Sequence, residues 1–207
     1  MNKSKPSRIG KITSKLFDEY PIYIFEFENE LINNYLPNKL IAFEKVSIIN
    51  LAKRDFFYSK PILYASYSQI DHHYEQLSET LKLEDILFDL LKQTNQISRY
   101  NFVLTGNNLI LVRIAHLRHI SYHLHGKHIT LCNRSDDVRF AGEFWYDGNQ
   151  FYFNNNSGTY RPIDDLIHNA SLFFNQLLPN FKFQGISYQI NSRPSFKHRL
   201  IYKIRNH

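Results

Sequence analysis

Five of the chain's ten histidines, His116, His119, His123, His125 and His128, fall within "HLRHISYHLHGKH" at residues 116 to 128. Imidazole can ligate a metal, move a proton near neutral pH or only donate hydrogen bonds, and spacing is what separates these roles. His123 and His125 stand two apart and would share one side of a strand, which is half of a metal site. A cupin-like pattern wants a glutamate a few residues further on; Thr130 stands there, and the nearest later acids are Asp136 and Asp137. His72 and His73, beside Glu75, find no further ligand at metal spacing and read as surface or boundary residues. No metal is expected, and most of the cluster reads as decoration of an exposed segment. His128 differs, because it opens "HITLC", which reads as a strand rather than as part of the charged run before it.

A second constellation lies in "VRFAGEFWY". Strand alternation places Arg139, Ala141, Glu143 and Trp145 on one face and Val138, Phe140, Gly142 and Phe144 on the other. Arg139 and Glu143 then set a cation and a carboxylate side by side, with His128 on a neighbouring strand. Arginine holds phosphate or pyrophosphate, and histidine or glutamate moves a proton. A salt bridge that only orders the sheet explains the same letters. In "NNNSGTYRP", Asn156, Ser157 and Gly158 read as a tight turn whose backbone N–H groups form an anion nest, with Ser157 and Tyr160 as further donors. A plain strand-to-helix connector is the competing reading. The expected site is one cleft: Arg139 and the Asn156–Ser157–Gly158 turn hold phosphate, Glu143 or His128 moves the proton, and Tyr160 packs against a ring.

The elements that must position these residues are legible in part. "NFVLTGNNLILVRI" carries Gly-Asn-Asn between two apolar runs, and "VRFAGEFWYDGNQFYFNNNSGTY" carries Asp147-Gly148 between two aromatic runs; both are hairpin signals. Pro162 opens a helix with acids in its first turn, apolar Leu166, Phe173, Phe174, Leu177 and Leu178, and a terminating Pro179. "FKFQGISYQI" reads as one more strand. Before residue 100, "PIYIFEF" reads as strand, whereas Ile70, Tyr74, Leu77 and Leu81, then Leu83, Leu87, Leu90 and Leu91, recur at helical spacing. The fold class expected is α+β: a mainly helical lobe over 1–99 with a basic N-terminal tail, then a β-rich catalytic part over 100–207. The latter is an antiparallel β-meander with a C-terminal helix and strand, ending in a basic tail.

Composition bounds the function. The 207 residues, 43% of them hydrophobic with 17 Phe and 14 Tyr, suffice for one main domain with a packed core. The lone cysteine, Cys132, excludes an internal disulfide and a cysteine-based zinc finger and fits a reducing cytosol. No apolar run long enough to span a bilayer occurs, and no apolar stretch follows the basic start, so cytoplasmic synthesis is expected, with delivery by a specialised secretion machine compatible. The net charge of +6 gathers at the ends: Lys3, Lys5, Arg8, Lys11 and Lys15 precede the first acid, and none follows Asp165. That balance suits nucleic acid, a phosphate-rich cofactor or anionic lipid, or only aids solubility.

From Asn101 to about Leu178 the order of features resembles a domain of plant IQ-motif calmodulin-binding proteins (the IQM family) and of bacterial polymorphic toxin and effector modules. The family pattern is an apolar strand, a histidine with small polar residues, Ala-Gly-Glu or Ala-Gly-Arg, a turn glycine, and Ser-Gly-His-Tyr-x-Pro before a helix. Here these are "NFVLTGNNLILV", His128 in "HIT", Ala141-Gly142-Glu143, Gly148, and Ser157, Gly158, Tyr160 and Pro162. Thr159 stands where the family has histidine, and the IQ motif has no counterpart. The resemblance therefore implies a toxin- or effector-like domain, with a cognate immunity or chaperone protein as partner, rather than a calmodulin partner. Among toxins, nucleotide-dependent transfer to a protein target from NAD or ATP, such as ADP-ribosylation from NAD, is the leading expectation. "GNQFYFNNNSGTY" is similar to the tyrosine-bearing nicotinamide segment of His-Tyr-Glu ADP-ribosyltransferases, although Glu143 would have to serve out of chain order. A metal-independent ribonuclease and a non-catalytic binding module are the alternatives.

Overall fold

The computed structural model describes residues 9–14, 22–42, 46–51, 54–59, 72–76, 84, 87, 99–114, 127–133 and 135–188. Two hairpins form its centre. β6 (Arg99–Thr105) and β7 (Asn108–Arg113) are joined through Gly106-Asn107, and the Asn108 N–H donates to Thr105 Oγ1 at 3.1 Å across the turn. β8 (Val138–Tyr146) returns through Asp147-Gly148 to β9 (Phe151–Asn154). Gly148 sits at φ +102°, which a side chain would strain, and Asp147 Oδ1 accepts from the N–H groups of Asn149 and Gln150. Those two donors hold the Asp147 carboxyl below its usual range.

The strand order is β10-β9-β8-β6-β7-β2-β1-β5, where β10 is Phe183–Ile186, β2 Ile22–Glu26, β1 Ile9–Ser14 and β5 His72–Gln76. β3 (Val46–Leu51) and β4 (Arg54–Ser59) make a separate two-stranded sheet. The fold is α+β with a mixed sheet, a correction to the antiparallel meander: β10 runs parallel to β9 because a helix, Asp165–Leu177, crosses between them. β2 pairs with β7 and carries the sheet on to β1 and β5, so strands from before residue 99 share a sheet with those after it. Of the helical lobe, residues 72–76 are strand, Tyr74 lying opposite Ile12; pairing with β1 overrides the helical spacing. Glu84 and Leu87 are helical, and the remainder of the predicted helices over 66–93 lies outside the described residues.

Besides Glu84 and Leu87, the helices among the described residues are α1 (Asn29–Asn33), α2 (His128–Leu131) and α3, the crossover helix. α2 corrects the strand expected at "HITLC". Ile129 and Thr130 favour strand locally, yet all four residues of the turn are buried and its N–H groups close back onto Lys127 and His128. One face of the sheet packs phenylalanine against α3: Phe102 lies 5.5 Å from Phe174, 5.9 Å from Phe140 and 6.3 Å from Phe153 between ring centroids. On the opposite face Val103, Ile110, Val112, Val138 and Ala141 meet Ile129 and Leu131 of α2, together with Cys132 and Tyr160.

Candidate functional site around Glu143

β8 is where the chemistry gathers, and a bulge determines which residues meet. Leu104 pairs with Phe140 but Thr105 with Val138, so Arg139 is an extra residue and the alternation slips there. Val138 and Ala141 consequently share a face although they are three apart. The expectation that Arg139 and Glu143 lie side by side is thereby overturned. The Arg139 side chain, only 6% exposed, donates through Nε to Asp137 Oδ1 at 2.6 Å. Its Nη1 donates to Asn33 Oδ1 at 2.8 Å, the Leu36 carbonyl at 3.0 Å and the Pro37 carbonyl at 2.7 Å. These bonds tie the segment after α1 to the start of β8 and leave Arg139 as a structural anchor rather than a phosphate holder.

Glu143 is placed otherwise. Its side chain is 14% exposed, and Oε2 accepts from Arg99 Nη1 at 3.1 Å and Asn154 Nδ2 at 3.2 Å. Oε1 accepts from Asn156 Nδ2 at 2.7 Å. Asn154 is the keystone, since its Oδ1 also accepts the backbone N–H groups of Glu143 and Asn156, both at 3.0 Å. Just before it stands Gly142, where a Cβ would run into the Asn154 carbonyl. The glycine of Ala-Gly-Glu is therefore required by the close approach of β9, which delivers Asn154 and Asn156 to the carboxylate.

His128 opens α2 against the same strand. Its Nε2 lies 2.9 Å from the Gly142 carbonyl, which can only accept, so Nε2 carries the hydrogen and Nδ1 is the ring's acceptor. Burial pushes the imidazole below its usual pKa, offset partly by the Gly142 carbonyl and by the Glu143 charge. A neutral histidine thus sits beside a fixed carboxylate.

The turn after β9 serves a different purpose from the one expected. Ser157 Oγ accepts the Tyr160 N–H at 3.1 Å, and the N–H groups of Ser157 and Arg161 donate to the carbonyls of Asn155 and Ser157. With the Asn156 N–H on Asn154, two of the three N–H groups expected to form the nest, those of Asn156 and Ser157, are bonded inside the protein. Left-handed backbone falls on Arg161, φ 45°, and not on Gly158, which is exposed with its carbonyl 3.4 Å from Arg161 Nε. Asn155 pins the connector: its Nδ2 donates to the Pro162 carbonyl and Asp164 Oδ1, each at 2.8 Å, and its Oδ1 accepts from the Tyr188 N–H. Tyr160 is buried, with its hydroxyl 3.1 Å from Cys132 Sγ. It borders a separate cavity of about 220 Å³ lined by Leu40, Ile41, Ala42, Ile129, Ser135 and Asp136.

The structure therefore divides the expected cleft. His128, Glu143 and Asn156 come together; Arg139 does not join them, Ser157 and Gly158 belong to the connector, and Tyr160 faces the cavity. Sequence reasoning missed Arg99, Asn154, Trp145 and Tyr152. Arg99 lies opposite Trp145 and over its ring, 4.4 Å from the centroid, and Tyr152 stacks on Trp145 with centroids 5.8 Å apart. The strand pattern already grouped Glu143 with Trp145, but only the pairing of β6 with β8 could add Arg99. His116 to His125 lie outside the described residues; among those that are described, no three His, Cys, Asp or Glu side chains group as metal ligands do. None of the described helices is long and apolar enough to cross a membrane. The chain matches no protein-family model, no curated protein and no solved structure.

Proposed function

We propose that the chain is an effector-like enzyme of the toxin and effector class it resembles, delivered into another cell, and that it transfers ADP-ribose from NAD to a protein through Glu143. The observation that carries this reading is the Glu143 carboxylate, held by Arg99, Asn154 and Asn156 beside a histidine that burial keeps neutral. In such a transfer the bond from ribose C1′ to nicotinamide breaks with its electron pair leaving on nicotinamide, which departs uncharged and needs no proton donor. Positive charge develops on the ribose, and a carboxylate already fixed in place stabilises it without reorganising. The acceptor's lone pair forms the new C1′ bond, and its proton passes to Glu143 or to water. His128 orients the site through Gly142 and takes no part in proton transfer.

The same geometry counts against ribonuclease chemistry. Cleaving a phosphodiester without metal needs an acid to protonate the leaving 5′-oxygen. His128 holds its only N–H on a backbone carbonyl and resists a second proton. Incubating the chain with NAD labelled on the adenylate and a lysate of candidate target cells tests the proposal. Label should appear on protein with wild type and fall by about a hundredfold with Glu143→Gln. Labelling that survives in the variant, or its absence with wild type while RNA is cut, would reject the transferase.

A further inference from the structure

The cavity beside Tyr160 has apolar walls that are held in place by bonds within the protein. The Leu40 N–H donates to the Val138 carbonyl at 2.6 Å, which fastens the segment after α1 to β8, and Leu40 and Ala42 pack against the apolar cluster of the α2 face. The other apolar walls are Ile129 of α2, 1% exposed, and Tyr160, whose N–H is bonded to Ser157 Oγ and whose hydroxyl lies 3.1 Å from Cys132 Sγ. Two residues at the rim have no evident use inside the protein. Ile41 is 88% exposed, an unusual place for so large an aliphatic side chain. Asp136 is exposed and has no hydrogen-bond or ion-pair partner among the described residues, whereas the next residue, Asp137, is paired with Arg139 and Lys39.

We propose that this cavity binds a small organic amine, whose apolar body lies against Leu40, Ile41, Ala42, Ile129 and the Tyr160 ring and whose ammonium meets the Asp136 carboxylate at the rim. Size sets the body. An apolar cavity of about 150 Å³ takes a benzene molecule, so one of about 220 Å³ takes a ring with a short arm, about nine non-hydrogen atoms in all. Charge sets the arm. A carboxylate or phosphate ligand would meet like charge at Asp136, and a metal ion would find too few oxygens. Ser135 Oγ, which accepts the Asp137 N–H at 3.1 Å, keeps a second lone pair for an N–H of the ligand. Affinity comes mainly from the apolar body leaving water, because an ion pair at an exposed carboxylate is weak; Asp136 selects the sign of the charge. The inference stands apart from the transferase reading, because binding here requires no reaction at Glu143.

The full chain, labelled at its isoleucine methyl groups, is titrated with three probes of one shape: phenethylamine, phenethyl alcohol and hydrocinnamate. Phenethylamine should shift the Ile41 and Ile129 methyl signals saturably, with a dissociation constant of about a millimolar or below. It should bind about threefold or more tightly than the alcohol, and hydrocinnamate should bind more weakly than either. Asp136→Asn should erase the preference for the amine and leave the affinity for the alcohol unchanged. Ala42→Phe places a ring where the ligand's would lie and should abolish binding of all three, with the melting temperature showing that the variant is folded. Equal affinity for amine and alcohol in wild type would overturn the proposal, as would a preference that survives Asp136→Asn. So would the absence of saturable shifts at Ile41 and Ile129. Trp145, the chain's one tryptophan, stands near Glu143, so quenching of its fluorescence without those methyl shifts would seat the amine at that carboxylate and also reject the cavity. The wild-type titration decides without any variant, and nicotinamide release from NAD, measured in parallel, reports separately on Glu143.

Discussion

The two faces of the sheet are built on opposite terms. On the α3 side, Phe102, Phe140, Phe153, Phe173 and Phe174 are buried to within a few per cent and touch mainly one another. On the other side Val103, Val138 and Ala141 are fully buried beside α2, and beyond them the surface passes to Glu143, Arg99, Trp145 and Tyr152. The first face owes its stability to apolar area removed from water, the second its order to hydrogen bonds aimed at one carboxylate. The apolar core and the candidate site thereby lie on different sides of the same strands, and substitutions should separate them.

The largest effect belongs to the aromatic face. Phe102→Ala removes a ring in contact with four other rings and should cost roughly 3–5 kcal/mol in denaturant unfolding. A loss near 1 kcal/mol would mean that this packing is looser than described. Arg139→Ala comes next, at about 3 kcal/mol, because it strands the Leu36 and Pro37 carbonyls and takes from Asp137 the nearer of its two basic partners, leaving Lys39 at 3.7 Å. Chemistry at Glu143 should survive it below the lowered melting temperature; lost activity in a folded variant would return Arg139 to the site. Arg99→Ala removes the exposed half of its pair and leaves the Glu143 carboxylate bonded to Asn154 and Asn156, so it should change stability by about 1 kcal/mol or less.

How much of this could be read from the sequence depended on the range of the signal. Asp147-Gly148, the Gly106-Asn107 turn and the helix following Pro162 are local, and each was legible because a few adjacent residues dictate it. The α2 turn was not, since tertiary burial of Ile129 and Thr130 outweighed their strand preference. Alternation along β8 gave the company of Glu143 and Trp145 but failed at Arg139, where one bulged residue rotated the pattern. Asn154 and Arg99 were beyond reach: the first acts through a close approach allowed by Gly142, the second through strand pairing across 44 residues. Misreading the parallel β10 had the same cause, because a helical crossover is visible only once both strands it joins are placed.

The smallest effect is a pH dependence. Burial lowers the His128 pKa from 6.5, so the unfolded chain takes up the proton first as pH falls. The contribution is complete above about pH 6.5 and is lost as pH falls from there toward the lower folded value. Thermal melts between pH 7.5 and 5 should show wild type losing stability, and His128→Gln, whose amide can still donate to Gly142, losing less. Parallel curves would show that His128 is not held neutral.

The central claim, that Glu143 is the working group on the face opposite the aromatic core, is tested most directly by nicotinamide release from NAD. Glu143→Gln should release it about a hundredfold more slowly than wild type at a temperature where both are folded. Equal rates, with only a lower melting temperature for the variant, would contradict the account and make the carboxylate another scaffold bond.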